Sequence, residues 1–214
     1  MKFRKFFLIM GLAGFCGFSN SATAGAYEDM LHAIHIDDAR TIVQLLQRGV
    51  DVDTVNPKGE TLLMIAAREG KPNVVKTLLT ARPKLQTRNP VGESALMLAT
   101  ILGHTEIARL LLDAGAPVNQ DGWTPLIYAA ARNRTDIGRL LIAKGANVNA
   151  AADNGTTALM MAAREGQLQM LLLLLEHGAD AKYVSPHGHS ALSLAKDRGQ
   201  GEIEAVLRRA GVEE

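Results

Sequence analysis

The chain is nearly without cysteine: one residue in 214, Cys16. It lies in an N-terminal stretch that reads as an export signal, so the processed chain has no disulfide, no thiolate nucleophile and no cysteine metal ligand. Lys2, Arg4 and Lys5 form a basic start, residues 6–18 are an apolar run, and Ala22-Thr-Ala24 and Ala24-Gly-Ala26 follow as small-residue cleavage sites. The run is 13 residues long, short of the roughly 20 that span a membrane. No membrane span is therefore expected in the mature chain. Phe15 is bulky where a lipoprotein signal requires a small residue, which argues against acylation of Cys16.

Long basic runs are also missing. The chain has 23 basic and 22 acidic residues; the signal (1–24, cleaved after Ala24 or Ala26) removes three basic and no acidic ones, so 20 stand against 22, a charge near −2. Phosphate binding needs a concentrated basic face, so nucleic acid is excluded as the partner. Aromatics make up 4% of the chain against 47% hydrophobic residues in all; Leu and Ala must build the core, as in a stack of helices. The short basic start and the Ala-x-Ala sites look bacterial and predict the periplasm. Sequons at Asn133 and Asn154 keep full secretion open as the alternative.

What is present is a beat. Gly59, Gly92, Gly122, Gly155 and Gly188 recur at intervals of 33, 30, 33 and 33 residues. Each opens one phrase, from Gly59-Glu-Thr-Leu-Leu to Gly188-His-Ser-Ala-Leu. A fixed period of this size means stacked copies of one supersecondary unit. The hydroxyl two residues after each glycine (Thr61, Ser94, Thr124, Thr157, Ser190) is placed to cap a first helix, and Pro125 suits a first helical position. Leucine four residues on and alanine seven on set a knob beside a flat spot. Gly70, Gly103, Gly166 and Gly199 end that helix. A second apolar helix stops at Gly49, Gly115, Gly145 or Gly178. Phrases such as Gly145-Ala-Asn-Val-Asn then lead into a hairpin finger.

This pattern resembles the ankyrin repeat over essentially the whole mature chain. Gly122-Trp-Thr-Pro-Leu-Ile-Tyr-Ala-Ala, with Leu141-Ile-Ala-Lys-Gly-Ala-Asn-Val-Asn, comes close to a full family unit. The resemblance implies an all-α repeat solenoid of helix-turn-helix units with β-hairpin fingers, about six repeats including caps. The units are expected at 26–58 (an N-terminal cap), 59–91, 92–121 (with a shortened finger), 122–154, 155–187 and 188–214 (a C-terminal cap). Lys196 and Arg208 give the last unit the polar outer face that a terminal repeat needs. The departures carry information. The family's usual histidine after Thr-Pro-Leu is replaced by Met64, Met97, Ile127, Met160 and Ser193. These read as soft core filler, with a redox-sensing row as the sharper option. Arg82 stands at a helix-ending glycine position and Pro83 follows, which predicts a re-routed, weaker corner.

Little here could carry chemistry. No Gly-x-Ser-x-Gly elbow, phosphate-cradling glycine loop or His-Glu-x-x-His occurs, so no catalytic residue is assigned, no cofactor is implied and the chain is not expected to be an enzyme. His187 and His189 could share a metal or small molecule at one finger tip, but zinc needs further ligands. His32 and His35 lack a completing ligand in the same way, and His104 sits where the family uses histidine for local bonding.

The resemblance implies a concave surface lined by finger tips and first helices. It would present Glu60, Glu93, Trp123, Thr156 and His189, one residue after each glycine. The pairs Arg68-Glu69, Ile101-Leu102, Ala131-Arg132, Arg164-Glu165 and Asp197-Arg198 follow nine and ten residues on. An apolar centre of Ile101, Leu102 and Trp123 between charged flanks is how a protein interface is built. The expected function is a monomeric, non-catalytic scaffold exported to the periplasm, binding a protein and protecting an exported enzyme or envelope component. A secreted factor binding a host protein, and a metal or small-molecule binder at His187 and His189, are the alternatives.

Overall fold

A computed structural model describes residues 21–212. The basic start, apolar run and Cys16 of the expected export signal lie outside the described residues, whereas Ala24 and Ala26 fall inside the first helix. Twelve helices follow in six pairs: α1 (Ser21–His35) and α2 (Ala39–Gln47), α3 (Leu62–Arg68) and α4 (Pro72–Thr80), α5 (Ala95–Leu102) and α6 (Thr105–Asp113), α7 (Pro125–Ala131) and α8 (Thr135–Ala143), α9 (Ala158–Arg164) and α10 (Leu168–Glu176), α11 (Ala191–Asp197) and α12 (Gly201–Arg209). Odd-numbered helices stack on odd, even on even, and each pair packs internally. This is the repeat solenoid that the beat predicts. No helix among the described residues is long and apolar enough to cross a membrane.

The inner helices α3, α5, α7, α9 and α11 each start on a hydroxyl. Thr61 accepts the Met64 N–H at 3.2 Å and Thr124 the Ile127 N–H at 3.2 Å, with Ser94, Thr157 and Ser190 doing the same. A cap of this kind contributes about 1 kcal/mol. The helices end in left-handed residues: Gly103 has φ 80° and packs under the Arg134 guanidinium, where a Cβ would lie 2.7 Å from Cζ. In the fourth unit Asn133 takes the same role at φ 52°, a conformation that asparagine tolerates better than most residues.

The re-routing expected at Arg82 does not occur. Arg82 adopts φ 54° and its N–H reaches the Leu79 carbonyl at 3.1 Å, just as Gly115 reaches Leu112 at 3.1 Å. The loss is smaller and local. Ala116 and Ala146 close their corners by donating to Leu111 at 2.9 Å and Leu141 at 3.0 Å, a bond that Pro83 cannot make because it has no N–H.

The repeated leucines (Leu63, Leu96, Leu126, Leu159, Leu192) and alanines (Ala66, Ala99, Ala129, Ala162, Ala195) are buried along the whole stack. Each buried leucine contributes about 1.5–3 kcal/mol of transfer free energy. Met64, Met97 and Met160 are each at most 3% exposed. That is the core-filler reading; a sensing row would need access for an oxidant that these sulfurs do not have. The fingers are shorter than the hairpins the resemblance implies. Among the described residues they hold only single bridging pairs, Val55 with Thr61, Ala151 with Thr157 and Val184 with Ser190. The finger before Trp123 has none, and the Gln120 amide reaches the Trp123 carbonyl at 3.4 Å instead.

Candidate functional site

The side chains predicted for the finger and inner-helix face stand one, nine and ten residues after each opening glycine. At the N-terminal end that face is closed by its own charges. Glu60, expected at the surface, is only 8% exposed. Its carboxylate accepts from Asn56 Nδ2 at 2.9 Å and pairs with Arg68 Nε at 3.3 Å. The reason is the finger's Asn-Pro-x-Gly-Glu turn, in which the Asn56 side-chain oxygen also takes the Glu60 N–H at 2.9 Å and pulls the residue inward. Glu93 is held the same way by Asn89 at 3.0 Å. Glu69 lies 3.3 Å from the His35 ring. Toward the other end Arg164 Nη2 meets Glu165 at 2.8 Å.

The centre differs. Leu102 is 44% exposed and Ile101 half-buried. Trp123 is half-buried rather than free-standing, and its ring centroid lies 5.2 Å from that of Tyr128 at an interplanar angle of 44°. Tyr128 sits on α7, one turn before Arg132. Its hydroxyl is pushed above the ordinary tyrosine value, first by burial and then by the Glu93 carboxylate, with Arg132 acting in the opposite direction. Arg132 is exposed and, among the described residues, its guanidinium has no hydrogen-bond or ion-pair partner. Of the other arginines predicted for the face, Arg68 and Arg164 each have one, and the exposed Arg198 at the C-terminal end has none for its side chain.

Sequence reasoning missed Tyr128. Position six carries Ile65, Leu98, Tyr128, Met161 and Leu194; a single aromatic in an aliphatic row was the available signal. It also missed most of the ties between units. His104 Nε2 meets the Arg68 carbonyl at 3.2 Å, Arg134 reaches the Ile101 carbonyl at 3.3 Å, and Asp37 accepts the Val74 N–H at 3.0 Å. His187 and His189 are both exposed at their finger, and among the described residues no three metal-ligating side chains gather anywhere. Thr156 is half-buried.

A family model described as ankyrin repeats in 3 copies matches residues 30–120, 65–152, 113–185 and 148–212. No curated protein matches the chain. Among solved structures, one similar chain comes from the Bd0816 predatory endopeptidase of Bdellovibrio bacteriovorus in complex with immunity protein Bd3460. It is 30% identical with a TM-score of 0.76, covering 85% of this chain and 97% of that one. Another is the ankyrin repeat domain of Bcl-3, a member of the IkappaB protein family, 28% identical with a TM-score of 0.78 and 86% of each chain covered.

Proposed function

The chain belongs to the ankyrin-repeat family, whose repeats serve protein–protein interaction, and we propose that it is a non-catalytic scaffold exported to the periplasm. It binds a protein on the face formed by the finger tips and inner helices, an exported enzyme or envelope component that it protects. The observation that carries this reading is the contrast within that face. Its flanks are neutralised by internal pairs (Arg68 with Glu60, Arg164 with Glu165), while its centre carries the exposed Leu102 and the half-buried ring pair of Trp123 and Tyr128. An apolar, aromatic centre inside a satisfied polar rim matches the anatomy of interface hot spots. The similar chain from a complex of an endopeptidase with an immunity protein supports an enzyme as the partner.

Two measurements test this. Fractionation of cells expressing the full chain should place a shortened form in the periplasm, with a new N-terminus at Gly25 or Tyr27. Capture from that fraction with the processed chain should retain a protein that Leu102→Asp fails to retain. Retention of the same proteins by both forms, or a cytoplasmic full-length chain, defeats the respective part of the reading.

A further inference from the structure

Three donors without acceptors meet on one side of the fourth unit. The Trp123 indole N–H, the Tyr128 hydroxyl and the Arg132 guanidinium make no hydrogen bond or ion pair among the described residues. Trp123 and Tyr128 are in ring contact, and Arg132 follows Tyr128 by one helical turn, its backbone N–H bonded to the Tyr128 carbonyl at 3.0 Å. Along the face Arg132 occupies the same position in its unit as Leu102 in the unit before, so a cation and an exposed leucine are neighbours. Of the carboxylates around it, Glu93 accepts from Asn89 at 3.0 Å and Glu165 lies 2.8 Å from Arg164, while Asp121 and Asp153 are exposed at the finger tips on either side of Gly122. Glu93 contributes a repulsive field at Tyr128, partly offset by Arg132. Among the described residues the Arg132 guanidinium is thus the unpaired cation beside the aromatic pair.

Resting on the binding face proposed above, we infer that its centre recognises an acidic side chain of the partner, an Asp or Glu set beside an aliphatic residue on a surface loop. The carboxylate takes the fork of Arg132 and a hydrogen bond from Tyr128 or Trp123; the aliphatic group covers Leu102. A carboxylate is the acceptor that matches a planar, two-pronged donor. An unpaired surface arginine is hydrated, and an opposite charge in bidentate geometry is the partner that best offsets the loss of that water. Paired arginines such as Arg68 and Arg164 would first have to be released, and the exposed Arg198 stands two units away from the aromatic pair, so the site of charge recognition falls at Arg132.

Selection of a displayed library of random dodecapeptides on the processed chain reads this directly. Enriched sequences should carry Asp or Glu within a residue or two of Leu, Ile, Val or Phe. Arg132→Glu should weaken a selected peptide by roughly tenfold or more and shift a fresh selection toward Lys and Arg. Arg132→Lys should lie between the two, since it keeps the charge and loses the fork. Helical content and melting should be unchanged in both variants. Peptides that lack acidic residues, or that bind Arg132→Glu undiminished while Leu102→Asp abolishes binding, overturn the carboxylate assignment and leave the face standing. Peptides indifferent to both variants, or no enrichment at all, overturn both.

Discussion

The His104 ring lies directly over Gly70, with Nε2 3.2 Å from the Arg68 carbonyl, so the opening of one outer helix is tied to the end of the preceding unit's inner helix. The contact needs a bare backbone. Gly70 has φ +69°, and a Cβ there would stand 2.7 Å from His104 Cε1. Gly70→Ala therefore meets two costs, left-handed strain and displacement of the ring from its carbonyl. A loss of about 1–2 kcal/mol is expected. A lowered urea midpoint should be accompanied by faster amide exchange at α4 and α6, the helices on either side of the tie. Unchanged exchange there would separate the two units energetically.

Arg82 offers a gain. It holds φ 54° without the steric freedom of glycine, and Pro83 forfeits the closing bond that Ala116 and Ala146 make in their units. Arg82→Gly should raise stability by about 0.5–1 kcal/mol, reduced somewhat by the greater entropy of glycine in the unfolded chain. Adding Pro83→Ala recreates the Gly-Ala corner of the third and fourth units and restores one hydrogen bond. Since Pro83 is itself buried, the double variant should exceed the single one by no more than about 1 kcal/mol. Denaturant unfolding of the three proteins measures the series.

Arg82 also shows what is legible in a repeat sequence. The beat announces which positions need left-handed backbone, because five units agree on it, and the helix pairs, caps and buried leucines follow from that register. It does not announce how a misfit is absorbed. Just past the corner the Lys84 N–H donates to Asp53 of the preceding unit at 2.9 Å, a tie between units that the period does not encode. The face suffers the same limit. Its positions were legible by homology of register, but whether a charge is free depends on contacts across the fold. Glu60 turns inward on a bond to Asn56, four residues back, and Tyr128 becomes prominent only because Trp123 packs against it. Short-range turns and long-range ring contacts both lie beneath the resolution of a period.

Tyr27 has a hydroxyl that is buried with no hydrogen-bond partner. Its pKa is raised from 10.0, first by burial and then by the Glu60 carboxylate. A raised folded-state pKa means the neutral form is favoured on folding. The associated stability is fully present below about pH 10 and is lost as pH climbs through the folded value. Tyr27→Phe removes both the unmet donor and the titration. It should stabilise the chain by about 1 kcal/mol at neutral pH. It should also flatten the fall of melting temperature above pH 10, leaving only the part due to Tyr128, which shifts in the same direction. A steeper alkaline limb in the variant would contradict this account.

Glu60 and Arg132 together make the charge argument testable from the opposite side. Glu60→Gln keeps an acceptor for the Asn56 amide at nearly the same shape but abolishes the ion pair with Arg68. Arg68 is substantially exposed, so the stability lost should be at most about 1 kcal/mol and smaller still at high salt. The functional effect should be the reverse of a loss. A guanidinium that was neutralised becomes available two units from Arg132, so an acidic peptide that engages Arg132 should associate faster with Glu60→Gln, by about threefold at low ionic strength, with the gain vanishing as salt rises. Stopped-flow association rates across a salt series measure it. If Glu60→Gln leaves those rates unchanged while Arg132→Glu still abolishes binding, recognition is confined to the fourth unit and the N-terminal flank is only scaffold.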